Sequence, residues 1–133
     1  MEISDIYSKL ETKLDRVNTD TRLLVTGDVF FALKGPHYNG NEFVAKALEL
    51  GASFVICEDY ESQDARVVLV DDALITLQRL AQYHRSKKKA KIIAITGSNG
   101  KTTTKELLLK VFETTYEVLA TEGNLNNHIG VPL

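Results

Sequence analysis

Ile92-Ile93-Ala94-Ile95-Thr96-Gly97-Ser98-Asn99-Gly100-Lys101-Thr102-Thr103 is the stretch on which the reading of this chain turns. The apolar run Ile92-Ile93-Ala94-Ile95 has the length and branching of a buried strand. Glycines at 97 and 100 let the backbone curl so that successive N–H groups face one point. The helix that follows brings the positive end of its dipole there, and Lys101 adds a full charge. These parts suit a triphosphate such as ATP. The backbone of Gly97, Ser98, Asn99 and Gly100 would cradle the phosphates, Lys101 would neutralise them, Thr102 would place a hydroxyl on a bound Mg2+, and Thr103 adds a further donor. The general motif has another glycine where Ile95 stands, so this is the shorter Gly-x-x-Gly-Lys-Thr-Thr form. A plain strand-to-helix turn is the weaker reading, because a lysine opening a helix opposes the dipole unless an anion is bound.

Downstream of the loop, a helix from Lys101 to about Phe112 is expected to bury Leu107, Leu108 and Val111. Upstream, Arg85-Ser86-Lys87-Lys88-Lys89 interrupts the apolar pattern and reads as a domain junction. It divides the chain into residues 1–88 and residues 89–133. Within the first part, Ile3, Ile6, Tyr7, Leu10 and Leu14 have the spacing of a short amphipathic helix, capped by Ser4 or Asp5. The run Val29-Phe30-Phe31-Ala32-Leu33 predicts a strand buried on both faces, followed by a loop over residues 35–40. Asn41 is positioned to cap a helix with Phe43, Val44, Ala47, Leu48 and Leu50 on its apolar face, and Gly51 to close it. Phe54-Val55-Ile56-Cys57 and Val67-Val68-Leu69-Val70 read as strands. Asp71 or Asp72 then caps a helix through Leu74, Leu77, Leu80, Ala81 and His84.

The composition agrees with a folded α/β protein: 133 residues, 44% hydrophobic and 26% charged. A formal net charge of -2 gives no overall basic field to hold nucleic acid or an anionic membrane, so an anionic ligand needs a local site. The single cysteine, Cys57, excludes an internal disulfide framework, and residues 1–5 lack the layout of a signal peptide, which together point to the cytoplasm. No apolar run approaches the ~20 residues needed to cross a bilayer.

Three segments together resemble the Mur ligases, the ATP-dependent enzymes that build the peptide stem of peptidoglycan. One is the phosphate loop. The second is Asp20-Thr21-Arg22 followed by Gly27-Asp28-Val29-Phe30-Phe31-Ala32-Leu33-Lys34-Gly35, Asn39-Gly40 and Phe43. The third is Gly123-Asn124-Leu125-Asn126-Asn127-His128-Ile129-Gly130-Val131-Pro132. The pattern is most similar to the branch that adds D-alanyl-D-alanine to UDP-N-acetylmuramoyl-tripeptide, with the branch that adds the third residue of the stem as the alternative. Asn39 stands where an aspartate is frequent, and His128 where an acidic residue is frequent.

The resemblance implies a small N-terminal α/β substrate domain over residues 1–88. After it come the opening strand, phosphate loop and helix of a truncated Mur-type ATPase domain over residues 89–133. It further implies ATP and Mg2+ as cofactors and an acyl-phosphate route, with Lys101 and Thr102 as catalytic groups. Thr21, Arg22, Asn39 and Gly40 fall at positions that meet the uridine nucleotide of the substrate, and Asn127 and His128 at positions near substrate or nucleotide. These 133 residues alone are then expected to be inactive.

Blander readings stand beside these. Asp20 with Arg22 can be an ordinary surface pair, and Asn39-Gly40 an ordinary turn. Cys57 reads as core, and residues 87–89 as a solvated junction, because no aromatic residues are interleaved with the lysines. A phosphate-loop kinase or hydrolase shares the loop but places it near the start of its domain. A nucleotide-binding module without ligase activity is the non-enzyme alternative.

Overall fold

A computed structural model describes residues 2–121 and 127–133. Two compact units are distinguishable, one comprising Met1–Lys87 with Pro132–Leu133, the other Lys88–Val131.

The first unit begins with helix α1 (Ile3–Leu10), which runs on into a single 3-10 turn. Its buried residues are Ile6, Tyr7 and Leu10, as the i, i+1, i+4 spacing requires. Neither Ser4 nor Asp5 caps it. Glu2 holds the cap position without a side-chain bond, and the backbone N–H groups of Asp5 and Ile6 turn to the Glu2 carbonyl. A short strand β1 (Val17–Asn18) follows, then β2 (Val29–Phe31), the hairpin β3 (Lys34–Gly35) and β4 (Tyr38–Asn39), helix α2 (Val44–Glu49), β5 (Phe54–Cys57), β6 (Val67–Leu69) and helix α3 (Ala73–Lys87).

Strands β1, β2, β5 and β6 form one sheet in the order β1-β2-β5-β6, parallel throughout. Successive side chains of a strand point to opposite faces, so the continuous apolar runs in β2 and β5 require cover on both sides. On one face Phe30, Ala32, Val55 and Cys57 pack with Leu24, Val44, Ala47 and Ala52, the latter group brought in largely by α2 and its end. On the other, α3 adjoins β2 and packs against α1. The α1–α3 seam carries an edge-on Tyr7–Tyr83 contact at 4.9 Å and a hydrogen bond of 3.2 Å between Tyr7 Oη and His84 Nδ1. His84 is therefore a packing residue.

Strand β1 and the hairpin are additions to the expected element order. Two-residue strands carry no periodicity, and β1 exists because its backbone pairs with Val29 and Phe30. The closing of α2 is as read: Gly51 lies at φ +86°, the left-handed position after the helix, where L side chains are strained. Asp72 is the cap of α3, its Oδ1 accepting from Ile75 N at 2.7 Å. Asn41 is not a helix cap. Asn39 holds the cap position of a 3-10 turn (Gly40–Phe43) that leads into α2.

Asp28 is the most connected buried polar residue of this unit. Its carboxylate accepts from Arg16 Nε at 3.2 Å, Asn18 Nδ2 at 3.3 Å and Val25 N at 3.0 Å, while its carbonyl accepts from Ser53 N and Ser53 Oγ. The side chain thus fixes β1 and the return to β2, and the backbone carbonyl of the same residue meets the start of β5. On the surface, two Asp-x-Arg pairs repeat one geometry. Arg22 holds Asp20 through Nε and Nη2, and Arg66 holds Asp64 the same way. Arg66 Nη1 also donates to the carbonyls of Leu48 and Ala52, where α2 ends.

Those hydrogen bonds lower both aspartates to about 2. A carboxyl whose folded pKa lies below its unfolded value contributes stability that is complete above about pH 4 and is lost as the pH falls towards 2. The urea midpoint of the first unit is accordingly expected to fall between pH 4 and 2. Arg22→Ala and Arg66→Ala should flatten that fall rather than shift it, and because both pairs are exposed the change should be modest. An identical acid limb in the double variant would remove the pairs as its cause.

Cys57 is fully buried in the core, and that burial, followed by the charges of Asp59 and Glu58, pushes its thiol up to about 11. Since the thiolate is the reactive form, the native chain at pH 8 should react with a disulfide reagent at least ~10²-fold more slowly than the chain in denaturant. A fast native reaction would contradict its place in the core.

In the second unit, helix α4 (Lys101–Phe112) has the expected bounds, but residues 92–95 join no sheet. A strand is held by its neighbours, and no partner strand occurs among the described residues of this unit. Ile92 and Ile93 stay exposed, and α4 has no fully buried residue: Leu107 and Val111 are each 64% exposed. The expected burial of Leu107, Leu108 and Val111 is thus not found, because no described element of the unit covers that face.

Candidate functional site

The phosphate loop has the backbone its glycines foretell. Gly97 sits at φ +146° and Gly100 at φ +76°, both in the region that disfavours a Cβ. Gly100 is the cap residue of α4 and, having no side chain, leaves the first-turn N–H groups without a side-chain cap. Its carbonyl accepts the first helical bond, from Thr104 N at 2.9 Å. Lys101, Thr102 and Thr103 therefore open the helix without a side-chain cap and at the positive end of the dipole, a geometry that favours an anion.

Lys101 Nζ turns back across the loop and donates to the Gly97 carbonyl at 2.5 Å, so its charge lies over the loop. Ser98, Asn99, Thr102 and Thr103 are exposed around it. The structure thus brings Gly97, Gly100 and Lys101 together and sets the hydroxyls of Thr102 and Thr103 on the first helical turn. A separate hollow of about 410 Å3 runs along α4 between Lys105, Leu109 and residues 118–121, and none of the loop residues lines it.

Asn127 makes a local turn: its Oδ1 accepts from Ile129 N at 3.0 Å and Gly130 N at 2.7 Å, and its carbonyl from Val131 N. That oxygen is occupied by the backbone. Neighbouring His128 is exposed. The preceding part of this motif, Gly123-Asn124-Leu125-Asn126, lies outside the described residues.

In the first unit, the expected nucleotide residues gather by topology. In a parallel sheet every strand ends on the same edge, and ligands are met by the loops that leave this carboxyl edge. Thr21 and Arg22 follow β1, Asn39 ends the hairpin that leaves β2, the strand beside β1, and Gly40 follows it. Arg22 is exposed but already engaged in a bidentate pair with Asp20. Gly40 is buried against the chain that leaves β2, its N–H donating to the Leu33 carbonyl at 2.8 Å. A Cβ there would stand 2.5 Å from that carbonyl oxygen and 2.6 Å from the Ala32 carbonyl carbon. Backbone cannot move aside as a side chain can, so position 40 admits only glycine.

One residue that organises this edge was read in the sequence only as a helix cap: Asn41, buried, whose Nδ2 donates to Asn39 Oδ1 at 2.8 Å while its own Oδ1 accepts from Glu58 N at 2.9 Å and Asp59 N at 3.2 Å. Glu58 Oε1 in turn accepts from Ala73 N at the start of α3. The local sequence signals only a cap at Asn41; its reach to β5 is tertiary.

Known proteins match the chain over nearly all of its length. Residues 13–98 match the family described as "Mur ligase family, catalytic domain", and residues 95–133 the one described as "Mur ligase middle domain". The UDP-N-acetylmuramoyl-tripeptide--D-alanyl-D-alanine ligase of Bacillus subtilis is 42% identical over 126 residues, which cover 92% of this chain and 28% of the relative. A crystal structure of MurF from Acinetobacter baumannii superposes with a TM-score of 0.81 at 39% identity, over 90% of this chain and 26% of that one. The MurF ligase of Thermotoga maritima in complex with ADP superposes with a TM-score of 0.78 at 35% identity, over 88% of this chain and 27% of that one. The chain thus spans about a quarter of the length of these relatives. With its parallel sheet, its capless glycine loop and these matches, the chain belongs to the Mur ligase family.

Proposed function

We propose that this chain is the amino-terminal part of a cytoplasmic, ATP-dependent ligase that joins D-alanyl-D-alanine to UDP-N-acetylmuramoyl-tripeptide in peptidoglycan synthesis. What supports this reading most is that relatives bearing that name align over about nine-tenths of the chain, across both the parallel-sheet unit and the phosphate loop. Residues 1–88 form the UDP-substrate domain in this reading, and residues 89–133 open the ATP-binding domain.

The reaction first moves the γ-phosphoryl group of ATP to the terminal carboxylate of the tripeptide, releasing ADP. The amine of D-alanyl-D-alanine then attacks the acyl carbon, loses a proton and expels phosphate. Such transfers depend on charge neutralisation and positioning more than on covalent help from the protein. The N–H groups of residues 97–103 hold the phosphates, and Lys101 leaves the Gly97 carbonyl to stabilise charge on the β and γ groups. Thr102 offers its hydroxyl to Mg2+, which supplies further charge neutralisation when bound. Among the described residues no cluster of three or more histidine, cysteine or carboxylate side chains could hold a metal ion, so Thr102 acts with ligands from outside them. Thr21, Arg22, Asn39 and Gly40 meet the uridine nucleotide at the carboxyl edge. Asn127 shapes the turn that presents His128 towards substrate or nucleotide.

Titration of the 133-residue chain tests this directly. ATP with Mg2+ should move the amide resonances of residues 97–103 with a dissociation constant near millimolar, about -4 kcal/mol, because one loop gives few desolvated contacts. UDP-N-acetylmuramoyl-tripeptide should move residues 19–22 and 39–40, with no phosphate released. Turnover by these residues alone would overturn the partial-ligase reading. Tight ATP binding without any response to the UDP substrate would favour a phosphate-loop kinase or hydrolase.

A further inference from the structure

The sequence holds two Asn-Gly pairs, Asn39-Gly40 and Asn99-Gly100, and the fold treats them in opposite ways. In such a pair the glycine nitrogen, with no Cβ on its own residue to hinder it, can attack the carboxamide carbon of the asparagine. The nitrogen must first give up its hydrogen, and the two groups must be free to meet. At Asn39-Gly40 neither condition holds. The Gly40 N–H donates to the Leu33 carbonyl at 2.8 Å, and backbone atoms crowd Gly40 so closely that a Cβ would stand 2.5 Å from that oxygen. The Asn39 carboxamide is tied down as well, its Oδ1 accepting from Asn41 N at 3.2 Å and from Asn41 Nδ2 at 2.8 Å. At Asn99-Gly100 nothing among the described residues restrains either group. Both residues are exposed, neither the Asn99 carboxamide nor the Gly100 N–H has a hydrogen-bond partner there, and a Cβ on Gly100 would meet no atom within 4 Å. Gly100 also caps α4, and Lys101 Nζ lies on the Gly97 carbonyl, so the positive helix end and a full positive charge favour the deprotonated amide.

We infer that Asn99-Gly100 is a site of spontaneous deamidation within the phosphate loop, and that the fold spares the identical pair at Asn39-Gly40. The Gly100 nitrogen loses its proton to solvent hydroxide and bonds to Asn99 Cγ, while the Cγ–Nδ2 bond breaks and ammonia leaves. Water then opens the cyclic imide. Opening at Cγ gives aspartate, and opening at the main-chain carbonyl gives isoaspartate, which lengthens the backbone by a methylene. Nothing is oxidised or reduced. Either product sets a carboxylate between Gly97 and Lys101, where it opposes an anion that the unmodified loop would attract. A phosphate seated on the loop engages the Gly100 N–H and so protects the pair; this protection rests on the reading of the loop as an ATP site.

The test is to age the intact chain in mildly alkaline buffer, native and in denaturant, and to follow both pairs by peptide mapping that separates asparagine, aspartate and isoaspartate forms. In the native chain Asn99 should convert at least about tenfold faster than Asn39, which reacts only when its surroundings open. In denaturant the two should convert at similar rates, because the fold alone distinguishes them. Excess ATP with Mg2+ should slow conversion at Asn99 and leave Asn39 unaffected. Equal native rates, an Asn99 that stays intact while the denatured chain converts, or an Asn39 that remains the slower pair in denaturant would each overturn the inference. If Asn99 converts selectively but ATP with Mg2+ does not slow it, the modification site stands and the reading of the loop as a phosphate site falls.

Discussion

Lys101→Ala, made in the ligase to which we propose these residues belong, is expected to lower the ligation rate at least 10²-fold, the scale on which loss of one preorganised charge contact is felt. Lys101 is the single full positive charge within residues 97–103, and the loop around it is otherwise backbone amide and hydroxyl. Its ammonium lies over the loop, bonded to the Gly97 carbonyl. Reaching a phosphate therefore exchanges a neutral acceptor for a charged one, and charge-assisted bonds are roughly twice as strong. The loss should appear mainly in kcat, because charge on the transferring group grows in the transition state. Lys101→Arg is a sharper variant: it keeps the charge but spreads it over a planar fork too wide for a loop closed by Gly97 and Gly100. Phosphate release under saturating substrates measures both. A rate for Lys101→Ala within a few fold of the native value would sink the phosphate-site assignment.

Asp28→Ala should strongly destabilise the first unit. The side chain of Asp28 is 4% exposed and that of Arg16 is 43% exposed, so the pair sits at the boundary between core and water. Removing the carboxylate leaves the Val25 N–H without an acceptor and takes one from Arg16 and from Asn18, which keep only the carbonyls of Thr26 and Leu23. Breaking a fully buried pair costs about 3–5 kcal/mol, and the partial exposure of Arg16 puts this one at the lower end, about 3 kcal/mol. That is roughly a hundredfold in the folding equilibrium, and for a unit of this size a fall in Tm of more than about 10 °C. Asp28→Asn keeps one acceptor oxygen and should lose clearly less. Thermal and urea unfolding of the isolated chain check both, and an Asp28→Ala midpoint within about 2 °C of native would show that the carboxylate is not what ties β1 to the return into β2.

How much of this was legible before the structure depends on whether the deciding interaction is local. The continuous apolar runs of β2 and β5, the amphipathic spacing of α1 and α3, the closing glycine at 51 and the cap at Asp72 are set by residues within a few positions of one another, and all are present. So is the glycine loop, whose unusual backbone follows from the absence of a Cβ at 97 and 100. Local chemistry also explains why the Asp20–Arg22 pair forms, since the two side chains lie on one turn.

What the sequence could not determine is whatever depends on a distant partner. Strand β1 is two residues long and exists only through its pairing with β2. Asn41 has the sequence appearance of a helix cap, yet its position is decided by the N–H groups of Glu58 and Asp59, which lie on another strand's exit. The run at residues 92–95 has every intrinsic preference for a strand and still joins no sheet, because propensity cannot supply the neighbouring backbone that a ladder needs. The sequence by itself determined the longer helices, the central strands of the first unit, the glycine loop and the family. Only the tertiary structure decided which polar side chains are tied together at the carboxyl edge, because hydrogen-bond partners brought from far along the chain leave no periodicity to read.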